Sequence, residues 1–127
     1  MPFKNQYYEV VGHDIQEENN SVCFDIHLLP DFAVYRGHFP GNPVSPGVCN
    51  IETIRELAMM ATGEHLIIKS IQQCRFLSVI TPKITPQLTI HLHIVPSTEG
   101  YTINANITDK EKTYMTFRGS MTHQAHT

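Results

Sequence analysis

The sequence predicts an α+β fold in which an antiparallel sheet wraps one long helix, and three observations predict it. A single apolar stripe at helical spacing runs between Val48 and Thr62. Two strand-like segments precede it and four follow it, with turn-forming residues between the later ones. Strands joined by short turns pair antiparallel, and a helix that is apolar on most sides needs a sheet to cover it. At 127 residues the chain is sized for a single domain, 1–127, large enough to bury most of the surface its unfolded form would expose.

The elements follow in order. A first short strand is expected over 7–11, and 21–29 alternates, with Val22, Phe24, Ile26 and Leu28 on one face. Residues 37–48 hold three prolines and three glycines, which can continue neither a helix nor a central strand. Pro46 suits the first turn of a helix, where its missing N–H costs nothing, and the helix over 48–62 is stopped by Gly63. Its stripe is Val48, Ile51, Ile54, Leu57, Ala58 and Ala61, widened by Met59 and Met60. Glu52 and Glu56, four apart, share one helix face. Strands are then expected over 65–80, 87–95, 101–108 and 113–122. Thr81-Pro82 and Thr85-Pro86, residues 96–100 and residues 109–112 separate them, so an antiparallel meander is expected.

Composition excludes several function classes. A formal charge of −3, a pI near 6.2 and no basic run argue against a nucleic-acid partner. No apolar stretch is long enough to span a bilayer, and the first residues lack a signal-peptide pattern, so a cytoplasmic protein is expected. Cys23, Cys49 and Cys74 are odd in number and far apart, which suggests neither a disulfide framework nor a zinc knuckle. His91 and His93 fall on the same face of a strand as a metal pair would, but with no third ligand evident they read as solvent-facing, and no metal is expected. Cys49, near a helix start, admits two readings: a thiol of lowered pKa, or a small buried residue beside a channel. Tyr7, Tyr8, Phe76 and Phe117 are core by default.

The run His-Phe-Pro-Gly-x-Pro-x-x-Pro-Gly-Val-x-x-x-Glu, from His38 to Glu52, sets a histidine in a constrained loop against a carboxylate on a helix. It closely resembles the active-site signature of the 3-hydroxyacyl-[acyl-carrier-protein] dehydratases of type II fatty-acid synthesis. The resemblance implies a hotdog fold and a homodimer in which each site takes its histidine from one subunit and its carboxylate from the other. A trimer of dimers is a further assembly that it allows. It implies an acyl carrier protein as partner, docked by some of Arg36, Arg55, Lys69, Arg75 and Lys83. Glutamate rather than aspartate at position 52 favours simple dehydration over dehydration with isomerisation.

Removing water from a 3-hydroxyacyl thioester takes a proton from C2 and gives one to the leaving C3 hydroxyl. Under the resemblance His38 is the base, since imidazole titrates near neutral pH, and Glu52 is the acid, its carboxyl kept protonated by burial or acting through a water. The backbone N–H of Gly47 or Val48, at the helix start, would hold the thioester oxygen. Phe39, Pro46, Cys49, Glu56 and Phe76 are candidates for the substrate channel. No metal or organic cofactor is required. Three positions depart from the family pattern: Ser45 stands where an apolar residue is common, Cys49 where leucine is frequent, and Glu56 where glutamine is common. A second carboxylate beside Glu52 would raise one partner's pKa, and Arg55 could offset it. Two other functions compete: a hotdog acyl thioesterase, and a non-catalytic carrier-binding subunit of a heteromeric dehydratase.

Overall fold

The structure is a computed structural model that describes residues 1–33 and 44–123. Arg36, His38 and Phe39 lie outside the described residues. The elements are β1 (Tyr8–Gln16), β2 (Ser21–Leu28), α1 (Gly47–Thr62), β3 (Leu66–Phe76), β4 (Gln87–Pro96), β5 (Gly100–Thr108) and β6 (Thr113–His123). A short 3-10 turn, Glu17–Asn19, joins β1 to β2.

All strands belong to one antiparallel sheet of order β1-β2-β4-β5-β6-β3. Its inward row can be followed across the ladder. Phe24 faces Ile90, Ile90 faces Ile107, and Ile107 faces Met115, all of them buried. Because side chains alternate along a strand, this register places every second residue of β2, β4, β5 and β6 on α1. The helix answers with Ile54, Leu57 and Ala58, each 0% exposed. It ends where Gly63 takes a left-handed conformation (φ 72°) and donates its N–H to Met59 O at 2.9 Å. Ile54→Ala should therefore cost about 2–5 kcal/mol, the usual range for emptying a packed core position, and urea unfolding would measure it. A loss below about 1 kcal/mol would mean that α1 is not seated on the sheet as described.

The structure departs from the sequence expectations in four places. β1 continues to Gln16, through residues that are mostly exposed; it has no apolar alternation to announce it and is held by its ladder with β2, which shifts register between Val10 and Gly12. β3 stops at Phe76, and Leu77 and Ser78 instead donate their N–H groups to Tyr114 O. Only β4, β5 and β6 form a meander. The helical crossover carries the chain to the far side of the sheet, so β3 pairs with β6 while β4 pairs with β2. Val48, taken as the start of the apolar stripe, is 74% exposed, because it falls on the outer face of α1 with Glu52 and Arg55, four and seven residues on, while Cys49 and Asn50 beside it are buried.

β3 is an edge strand, hydrogen-bonded to β6 and with its other side unpaired among the described residues. It leaves Ile67 and Ile71 nearly half exposed. Among the described residues no helix is long and apolar enough to cross a membrane.

Candidate active site

Pro46 caps α1 with extended backbone (φ −66°, ψ 142°). Its carbonyl accepts the N–H groups of Cys49 (3.0 Å) and Asn50 (3.2 Å). The N–H groups of Gly47 and Val48 come before Cys49, the first donor of the helix, and have no acceptor among the described residues. They sit at the positive end of a 16-residue helix. Two donors with no assigned acceptor at a helix start suit an oxygen that gains negative charge.

Phe76 approaches Gly47 closely. A Cβ on it would lie 2.5 Å from Cε1 of Phe76, so the ring rests directly on the helix start. Phe76 is thereby removed from the core, where it was expected by default, and is 58% exposed at the end of β3. Behind it lies a cavity of about 360 Å³, walled by Ser45, Asn50, Ile80, Tyr114 and Met115 together with Phe76. Ser45 is buried there and donates its N–H to Ile80 O at 2.9 Å.

Glu52 lies further along the same helix. Arg55 forks onto it: Nε donates to Oε1 at 3.1 Å and Oε2 at 3.0 Å, and Nη2 to Oε1 at 2.6 Å. The side chains are 18% (Arg55) and 25% (Glu52) exposed. Hydrogen bonds to Glu52 push the Arg55 pKa up, against the opposing effect of burial. The remaining Arg55 nitrogen, Nη1, donates to Leu66 O at 2.5 Å and lies 3.6 Å from Met59 Sδ.

Glu56, one turn on, lies inside the fold. It is 0% exposed and accepts from the Tyr8 hydroxyl (3.0 Å) and the Phe3 N–H (3.0 Å). Beside it the Tyr7 hydroxyl donates to Asn50 Oδ1 at 2.8 Å, and Phe3, Tyr7 and Phe32 form an edge-on and tilted ring cluster. The channel role suggested for Glu56 is thus replaced by that of an anchor for the N-terminal segment. No local sequence signal links residues 48 positions apart, which is why Tyr8 was not paired with Glu56 from sequence.

Burial, then the charge and hydrogen bond of Glu56, push the Tyr8 pKa far up. A tyrosine whose folded pKa lies above its unfolded value near 10 stabilises the fold fully below that pH, and the contribution is lost as pH rises further. Unfolding free energy should therefore be insensitive to this group below about pH 10 and decline above it. Tyr101 and Tyr114 shift in the same direction, so Tyr8→Phe should shallow the alkaline decline without abolishing it. An unchanged slope in that variant would contradict the buried Tyr8–Glu56 contact.

Cys49 is 4% exposed, and burial pushes its thiol pKa up. This overturns the reading of a thiol activated by the helix start and leaves the small buried residue. His91 and His93 are exposed on β4, as expected. Cys23 on β2 brings its Sγ within 3.0 Å of His91 Nδ1, yet no three His, Cys, Asp or Glu groups converge among the described residues. The described site is therefore the N-terminal half of α1, with Pro46, Gly47, Val48 and Glu52 on the helix and Phe76 laid across its start.

A six-stranded antiparallel sheet against one long helix, with this signature entering the helix, is the hotdog fold of the 3-hydroxyacyl thioester dehydratases. The profile of the ApeI-like family, described as ApeI dehydratase, matches residues 14–122, and the chain belongs to that family. It is similar to the 3-hydroxyacyl-[acyl-carrier-protein] dehydratase FabZ of Levilactobacillus brevis, 38% identical over 55 residues, which covers 38% of this chain and 37% of that protein. The corresponding FabZ of Lactiplantibacillus plantarum is 26% identical over 98 residues, 69% of this chain and 65% of that protein. The matched stretches thus span less than two thirds of these curated relatives. Among solved structures, the dehydratase heterocomplex ApeI:P from Xenorhabdus doucetiae aligns with a TM-score of 0.74 at 18% identity, over 90% of this chain and 96% of that one. An uncharacterised protein from Erwinia carotovora subsp. atroseptica aligns at 0.66 and 21% identity, over 90% and 94%.

Proposed function

We propose that the protein is a dehydratase that converts 3-hydroxyacyl thioesters on an acyl carrier protein into trans-2-enoyl thioesters. The observation that carries the reading is the start of α1. Two N–H groups without an acceptor among the described residues, the Phe76 ring and the Glu52 carboxylate lie along one stretch of helix, with the His-Phe-Pro-Gly sequence shortly before it in the chain.

In this reading the thioester oxygen accepts from Gly47 and Val48, which acidifies C2. His38 takes the C2 proton as the C3–O bond breaks, and the protonated imidazole returns that proton to the departing hydroxyl, which leaves as water. Histidine ends neutral, as it began. Glu52, forked by Arg55, acts as an acceptor that orients the C3 hydroxyl, in place of the acid suggested from sequence. The free β3 edge, with Ile67 and Ile71 exposed, favours a dimer built by strand addition, a second hotdog subunit supplying the other half of each site.

The test is enoyl formation from 3-hydroxyacyl-carrier-protein substrates, read by mass, with His38→Ala in parallel. Turnover that disappears in the variant supports the reading, and full activity in His38→Ala sinks the mechanism. Free thiol released without enoyl product would mean a thioesterase. The ApeI:P neighbour is a heterocomplex, which favours a second reading in which this chain needs a different hotdog subunit. A silent chain that gains turnover on mixing with such a subunit would establish it.

A further inference from the structure

We propose that Arg55 is a positioning residue of the active site, holding the Glu52 carboxylate in the orientation that meets the C3 hydroxyl. The proposal rests on the dehydratase reading given above.

The geometry differs from that of an ordinary surface pair. An exposed i,i+3 pair leaves a long arginine free to swing, and such pairs contribute little. Here the guanidinium is fixed from two sides. Nε and Nη2 hold Glu52, while Nη1 is tied to the backbone carbonyl of Leu66, the first residue of β3. A planar fork gripping both carboxylate oxygens sets the rotation of the carboxyl group, which a lysine at the same position would not do. The anchor is backbone, so Glu52 is referenced to the same strand that ends in Phe76 on the helix start.

Among the described residues Glu52 is the carboxylate that Arg55 hydrogen-bonds, with Glu56 acting on it only through its charge. Glu56, one turn on, is committed to Tyr8 and Phe3. Glu52 is the carboxylate on α1 that keeps a quarter of its side chain open to an incoming group. An acceptor that must meet a hydroxyl within a few tenths of an ångström needs support of this sort from a second side chain.

The experiment is steady-state dehydration by the full chain, with its partner subunit if one is required, for Arg55→Ala, Arg55→Lys and Arg55→Met. Arg55→Met keeps most of the aliphatic stem and guards against simple loss of packing. The expected result is a kcat lowered about 10²-fold in Arg55→Ala and Arg55→Met with KM nearly unchanged, and a partial loss in Arg55→Lys. Millimolar guanidinium ion should restore part of the kcat of Arg55→Ala but none of that of Glu52→Ala/Arg55→Ala, a response that a merely structural arginine would not give. A kcat within about twofold of the unmodified protein in folded Arg55→Met overturns the proposal and leaves the dehydratase reading standing. A loss in every variant that tracks their melting temperatures and is untouched by guanidinium also overturns it. Absence of turnover in the unmodified chain, alone and with a partner, overturns the dehydratase reading, and the role assigned to Arg55 with it.

Discussion

Glu52→Gln should lower dehydration by about 10²- to 10⁴-fold, the range over which acid-base and hydrogen-bonding groups at a reacting centre act. The fold should lose about 1–3 kcal/mol, the usual cost of leaving a largely buried polar group short of its partner. Glutamine keeps the shape of the side chain and one acceptor oxygen. It cannot satisfy the Arg55 fork with two oxygens, since its amide nitrogen would face a donor. The C3 hydroxyl would lose a charged acceptor, and the half-buried guanidinium would lose its counter-charge. Product formation followed by mass, beside a urea denaturation curve, separates the two effects. Undiminished turnover in a folded Glu52→Gln protein would remove Glu52 from the site.

Glu56→Ala should act in the opposite way, through the fold rather than the chemistry. Truncation strands the buried Tyr8 hydroxyl and the part-buried Phe3 N–H and leaves a cavity between the helix and the N-terminal segment. Unsatisfied buried donors cost about 1–3 kcal/mol each, so a loss of roughly 2–5 kcal/mol is expected, a large part of what holds a domain of this size together. Glu56→Gln keeps an oxygen for one donor and should lose less. Denaturant midpoints of the two variants test the order, and a Glu56→Ala midpoint equal to that of the unmodified protein would refute the anchoring role. The same comparison decides what the departure at position 56 means. In this chain Glu56 is an internal tether for residues 3–8.

Periodicity was a sound guide wherever burial on one face is strict. β2 alternates because its inner face meets α1 and its outer face does not, and Val22, Phe24, Ile26 and Leu28 are all buried. Residues 12–16 of β1 carry no such pattern, since at the sheet edge backbone hydrogen bonds to β2 suffice to hold a strand that buries little. Val48 fits the helical stripe arithmetically yet stands outside it, because the same spacing also leads from it to Glu52 and Arg55, and α1 buries the face of Asn50, Ile54, Leu57 and Ala58 instead.

The candidate site divides along the same line. Residues close in the chain could be assigned from the chain: the proline- and glycine-rich entry, the helix that follows it, the Gly63 stop, and the signature that joins His38 to Glu52. These depend on fixed φ angles, missing N–H groups and side-chain spacing, which are local properties and survive in a linear reading. The tertiary structure alone decided that Phe76 lies on Gly47, that Arg55 reaches the Leu66 carbonyl while gripping Glu52, and that Glu56 turns inward to Tyr8 and Phe3. Each of those is a contact between segments brought together by strand order. Strand order is set by how the whole sheet closes over one helix, a cooperative balance of burial that no short window of sequence contains.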